Sequence, residues 1–163
     1  MRFSCLVAIF CLVFALPAAA QKAVDGGKIV LEGSKAVLKG ERLQLDAKTG
    51  VITGLAARSS ETITWPVRVE KAGWYQVVVH YALKDGKKIG QGAWNATIGD
   101  QNRMGPIHAT GASDRFLPQV LFNPMELSPG RHELQLQLKG AAQGLDLHIS
   151  KVELVRAREP GIP

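Results

Sequence analysis

The residues that could do chemistry are few, and most have a plainer role. Ser113 and Asp114 are neighbours, but there is no Gly-x-Ser-x-Gly elbow, and no motif places a histidine to complete a triad. Glycosidase-type hydrolysis needs two acids flanking a cleft. Glu61, Glu70, Glu126, Glu133 and Glu153 fall instead where solvated faces and turns are expected. His80, His108, His132 and His148 sit in no defined ligand motif, so no zinc site is read. They are expected at the surface of strands.

The charge balance is basic, 20 Lys+Arg against 14 Asp+Glu, a net +6. A nucleic-acid surface interleaves basic residues with aromatics. The one lysine-rich loop, with Lys84, Lys87 and Lys88 around Asp85, has no aromatic, so it reads as a solvated loop and no nucleic-acid partner is expected. The basic surface favours acidic partners only in a general way. Asn95-Ala96-Thr97 fits a glycosylation acceptor, but it lies inside an expected strand and is discounted. Of the large aromatics, Trp65 and Tyr81 fall on core-facing positions. Trp74 and Trp94 stay open between core packing and stacking against a pyranose ring.

The elements that must position these residues begin after a leader. Residues 1–20 combine Arg2, an apolar run to Leu16, and Ala18 and Ala20 as a small pair. That pattern predicts a signal peptide cleaved before Gln21, and its alanine-rich end reads as bacterial. Its apolar run is too short for a membrane anchor, and no membrane span is expected after cleavage. The protein is therefore expected to be secreted or periplasmic. Cys5 and Cys11 leave with the leader, so no disulfide framework holds the fold. Residues 21–27 read as a linker, 28–156 as one domain and 157–163 as a tail.

Within the domain, period-two alternation dominates. Ile63, Trp65, Val67 and Val69 share a face, and Pro66 marks an edge or a bulge. Lys71-Ala72-Gly73 turns into a second strand with Tyr75, Val77, Val79 and Tyr81 inward, and the two strands are expected to form a hairpin. Further strands are read at 93–98, 103–108 and 116–122. His132, Leu134, Leu136 and Leu138 then alternate cleanly. In the last strand the phase shifts between Ile149 and Val152, which predicts a β-bulge near Ser150–Lys151. Shorter strands are read before residue 55. Many short strands with no sustained helical period imply an all-β antiparallel sandwich.

From Lys28 to Arg156 the order of features resembles the galactose-binding-like jelly roll of carbohydrate-binding modules of families 6 and 35. It is similar to modules appended to bacterial secreted glycosidases such as α-L-fucosidases. The residues that carry the likeness are Ile29-Val30-Leu31-Glu32 and the stretch from Thr64-Trp65-Pro66 to Ala72-Gly73-Trp74-Tyr75. Val79-His80-Tyr81-Ala82, Thr110-Gly111, Leu127-Ser128-Pro129-Gly130 and Val152-Glu153-Leu154 complete it. The resemblance implies a structural calcium held by Glu-x-Glu in the first strand and an acid in the last. Glu32 matches the first acid, but Ser34 stands at the second and Ser150 or Lys151 at the last. Calcium wants several hard oxygens, so Glu32 is the only metal candidate carried over and no cofactor is expected. Relatives also place a tryptophan after the Thr-Gly loop, where this chain has Ala112-Ser113-Asp114-Arg115.

A loop-edge binding site of that kind would draw on Asp85, Lys87, Asp114, Arg115, Gln143 and Asp146, with Trp74 and Trp94 as stacking candidates. The expected function is a secreted, non-catalytic module that binds a glycan or glycoconjugate. A separate secreted glycosidase or an envelope protein would be its partner. An extracellular interaction or structural sandwich without sugar binding is the alternative. An exported hydrolase, for which no motif is present, is the third reading.

Overall fold

A computed structural model describes residues 23–24, 27–56, 61–84, 92–140 and 145–161. The expected signal peptide lies outside them. Among the described residues, no helix is long and apolar enough to cross a membrane.

The strands form two facing antiparallel sheets. The larger centres on β2 (Lys28–Glu32), β13 (Leu147–Ala157) and β7 (Gly73–Leu83). It is extended by β1 (Ala23–Val24) on β2 and by β5 (Ile52–Thr53) and β4 (Gln44–Leu45) beside β13. On its far side β7 carries both β10 (Leu117–Val120) and β11 (Met125–Leu127). The smaller sheet runs β3 (Val37–Lys39), β6 (Thr62–Val69), β12 (Gly130–Lys139), β8 (Ala93–Ile98) and β9 (Gln101–Pro106). The inward faces of both sheets supply one hydrophobic core. This is the antiparallel sandwich that the alternation implied.

The phase shift in the last strand is a bulge. Ile149 pairs with Tyr81, yet Lys151 pairs with the adjacent His80, so Ser150 is the extra residue. The insertion keeps Ile149, Val152 and Leu154 all facing the core. Pro66 lies where β6 is paired on one side only, with Glu133 of β12. β3 reaches only Thr64, so β6 has no partner on that side at Pro66.

Three expectations need correcting. The strands expected as a hairpin are both present but are not paired: β6 bonds to β3 and β12, while β7 bonds to β10, β11 and β13. Alternation fixes which face turns inward, not which strand lies alongside. Here the turn at 70–72 crosses between sheets, and the two apolar faces meet in the shared core. The strand read at 116–122 stops at Val120. Leu121 turns into the core with its N–H donating to Val77 O (3.0 Å), and Phe122 N–H donates to Met104 O of the opposite sheet (2.7 Å). Asn123 then adopts a positive φ of 57°, and the chain resumes as β11. Finally, Glu61 and Glu153 are buried rather than solvated.

The short strands at the start rely on close backbone approaches that only glycine allows. Gly54 has φ +81°, and a Cβ there would lie 2.0 Å from Arg42 O, so only glycine lets β4 and the chain after β5 come this close.

Candidate functional site

Register decides which loops meet. Leu83 at the end of β7 is opposite Leu147 at the start of β13, and Leu117 at the start of β10 is opposite Tyr81. In the other sheet, Lys139 at the end of β12, Ala93 at the start of β8 and Pro106 at the end of β9 are also in register. The strand ends at Leu83, Ala93, Pro106, Leu117, Lys139 and Leu147 therefore lie at one end of the sandwich, and the described connection 107–116 leaves from it.

The 107–116 connection is clamped to β7. Leu83 N–H donates to Thr110 Oγ1 (2.9 Å), and Thr110 N–H donates to Leu83 O (2.8 Å). The Thr110 hydroxyl also contacts Ala112 O (3.0 Å). Tyr81 Oη accepts from His108 N–H (2.8 Å) and lies 3.0 Å from His108 O. Burial pushes the Tyr81 phenol above its ordinary range, and the His108 N–H draws it partly back. These bonds hold the backbone that presents Asp114 and Arg115. Replacing Thr110 with valine leaves the buried Leu83 N–H without this acceptor. The expected cost is about 1–3 kcal/mol, read by urea denaturation, with faster amide exchange over 112–115.

Asp114 and Arg115 are exposed and enter no ion pair among the described residues. Asp146 is exposed at the same end, with Oδ1 2.9 Å from His148 Nε2. Asp85, Lys87 and Gln143 lie outside the described residues. Glu32 is exposed, and no group of three His, Cys, Asp or Glu that could hold a metal converges among the described residues.

The two tryptophans left open separate. Trp94 has no exposed surface and meets Tyr81 edge-on, with ring centroids 5.1 Å apart. It is core beneath the loop edge and cannot stack on a ligand, which removes it from the candidates. Trp74 is half-buried but sits at the opposite end, where β7 begins opposite Leu127 and Ala157 of β11 and β13. It cannot join the loop-edge residues in one site.

Around Trp74 the two sheets are stitched together by residues that the sequence reading passed over. Gln101 Nε2 donates to Glu126 O (2.6 Å), and Glu126 N–H donates back to Gln101 Oε1 (3.1 Å). Arg103 Nε donates to Pro124 O (3.0 Å). A signal was present: Gln101 and Arg103 share the phase of buried Gly105 on β9, and long polar chains in that phase at an edge strand must reach for backbone. A groove of about 410 Å³ opens there, lined by Trp74, Asp100, Gln101, Arg103 and Glu126. A wider groove of about 630 Å³ nearby is lined by Arg68, Glu70 and Arg131 and has no aromatic wall.

No family profile matches the chain, and no curated protein is similar to it. Solved structures with the same fold are mostly carbohydrate-binding modules of families 6 and 35. A family 35 carbohydrate-binding module from Clostridium thermocellum superposes with a TM-score of 0.62 at 16% identity, over 77% of this chain and 97% of that one. A cycloisomaltooligosaccharide glucanotransferase from Paenibacillus superposes with a TM-score of 0.60 at 16% identity over 77% of this chain, which spans only 18% of the enzyme. The Cry4Aa mosquito-larvicidal toxin of Bacillus thuringiensis reaches 0.66 at 13% identity over 81% of this chain and 24% of its own. The sandwich thus occurs both as a separate module and as part of larger chains.

Proposed function

We propose that this protein is a secreted, non-catalytic module that binds a glycan at its loop edge. The observation that carries the reading is that Asp114, Arg115 and Asp146 are exposed at one end of the sandwich, with Asp114 and Arg115 on a connection bonded to β7. An adjacent carboxylate and guanidinium offer strong acceptors and donors to sugar hydroxyls or to a sugar carboxylate. The shared fold with carbohydrate-binding modules supports the ligand class. Fold alone does not fix a ligand, so the weight rests on the site. Secretion rests on the leader at residues 1–20, and a separate glycosidase or envelope protein is the proposed partner.

The test is native affinity electrophoresis through gels containing soluble polysaccharides, both neutral and uronic-acid-bearing. At least one should retard the protein. Asp114→Ala and Arg115→Ala should each weaken that retardation roughly tenfold. If no polysaccharide retards it and one protein co-purifies stoichiometrically, the sandwich is an interaction module instead.

A further inference from the structure

The groove at the turn end has the features of a second binding site, separate from the loop edge. Trp74 faces outward from β7 in register with Glu126 of β11, so an indole and a carboxylate are side by side on one face. Asp100, in the turn between β8 and β9, brings a second exposed carboxylate to the same groove. Neither carboxylate enters an ion pair or accepts a side-chain hydrogen bond among the described residues.

The walls are preorganised. The reciprocal Gln101–Glu126 bonds and the Arg103–Pro124 bond tie the edge of one sheet to the edge of the other. Arg103 also donates through Nη1 to Asn102 O (2.7 Å) and through Nη2 to Gln101 Oε1 (3.4 Å). Its guanidinium is thus held in place, with donors to spare. A rigid site loses little freedom when it binds, which favours affinity.

We infer that this groove takes a neutral sugar ring, stacked by its apolar face on Trp74 and held through its hydroxyls by Glu126, Asp100 and Arg103. The groove's polar groups choose among ligands. An indole in a groove with two carboxylates can also hold an ammonium group, but a cation would meet the fixed Arg103 charge. An anion would meet two carboxylates. A hydroxyl both donates and accepts, so a polyol satisfies carboxylate and guanidinium together. The sugar class is shared with the loop-edge reading; the site is not.

Intrinsic fluorescence tests this directly. Trp65 and Trp94 have no exposed surface, so acrylamide quenching reports Trp74 among the three tryptophans. The full chain is titrated with cellohexaose, laminarihexaose, mannohexaose and xylohexaose, and with hexameric glucosamine as the cationic arm. At least one neutral hexasaccharide should shield Trp74 saturably. Glu126→Gln should weaken that shielding roughly tenfold, with the melting curve unchanged. Asp114→Ala should leave it intact. Binding that is lost with Asp114→Ala, while Trp74 stays equally quenchable, overturns the groove and keeps the loop-edge reading. Shielding by the glucosamine hexamer alone overturns the neutral-sugar assignment. Absence of any binding overturns both.

Discussion

Trp65→Ala should cost the domain about 3–5 kcal/mol, the range for truncating a large buried aromatic. Trp65 has no exposed surface, and its indole spans the two sheets. It rises from β6, and its Nε1 donates to Glu32 O at the end of β2 (2.9 Å). Truncation therefore opens a cavity in the centre of the core and leaves a carbonyl without its partner. A domain of ordinary stability holds only about 5–15 kcal/mol in total. The melting temperature should fall by roughly 10–20 °C. Trp65→Phe refills much of the volume and loses chiefly the hydrogen bond, at about 1 kcal/mol for that bond. Urea denaturation of both variants checks the pair. Equal losses would mean that the cavity is not the main cost.

Glu153→Gln should remove most of a pH-dependent stabilisation. Glu153 lies on the outer face of the larger sheet, between Val30 and Val78, and is only 5% exposed. Burial by itself would raise its carboxyl. The ammonium groups of Lys151 and Lys28, each 2.8 Å from Oε1, and the His80 ring, 3.1 Å from Oε2, outweigh burial and hold it at about 2. In the unfolded chain the carboxyl protonates near 4.5. A depressed folded value stabilises above the unfolded one and is lost as pH falls. The stabilisation is thus complete above about pH 5 and is lost between pH 5 and pH 2, to a total of about 3 kcal/mol. Lys28 and Lys151 are 41% and 32% exposed, so they turn to water when the carboxylate is gone and add little stranded-charge cost. The difference between wild type and Glu153→Gln should be largest at neutral pH and vanish near pH 2. A difference that does not change with pH would show that the cost is packing alone.

The sequence revealed faces better than neighbours. The alternation in β6, β7 and β12 assigned Ile63, Trp65, Val77 and Leu136 to the core, because side-chain direction is a local property. The phase slip at Ser150 announced its bulge for the same reason. Pairing depends on the distant chain, so the turn at 70–72 looked like a hairpin and proved to cross between sheets. Glu153 was hidden for a similar reason. An outward phase predicts solvent, and only the pairing of β2 and β7 with β13 brings Lys28 and His80 over it, beside Lys151 of its own strand. In the candidate site, the meeting of the 107–116 connection with the start of β13 follows from strand order, which the family resemblance carried and composition did not. Trp74 and Trp94 differ in strand phase, and burial of the neighbours on each face shows which phase turns inward. Trp94 has small Ala96 and Ile98 on its own face and packs inward, whereas Trp74 falls one residue before the inward set of β7.

The proposed glycan recognition rests on residues at the two ends of the sandwich. The most direct measurement is an amide and indole correlation spectrum of the labelled protein, titrated with the saccharide that retards it in affinity gels. Saturable shifts are expected, confined to 110–116 and 145–148, with the Trp74 indole and Glu126 responding as a separate set. Core strands such as β12 should stay unchanged. No saturable shift with any saccharide, or shifts spread evenly over the outer sheet faces, would contradict this recognition.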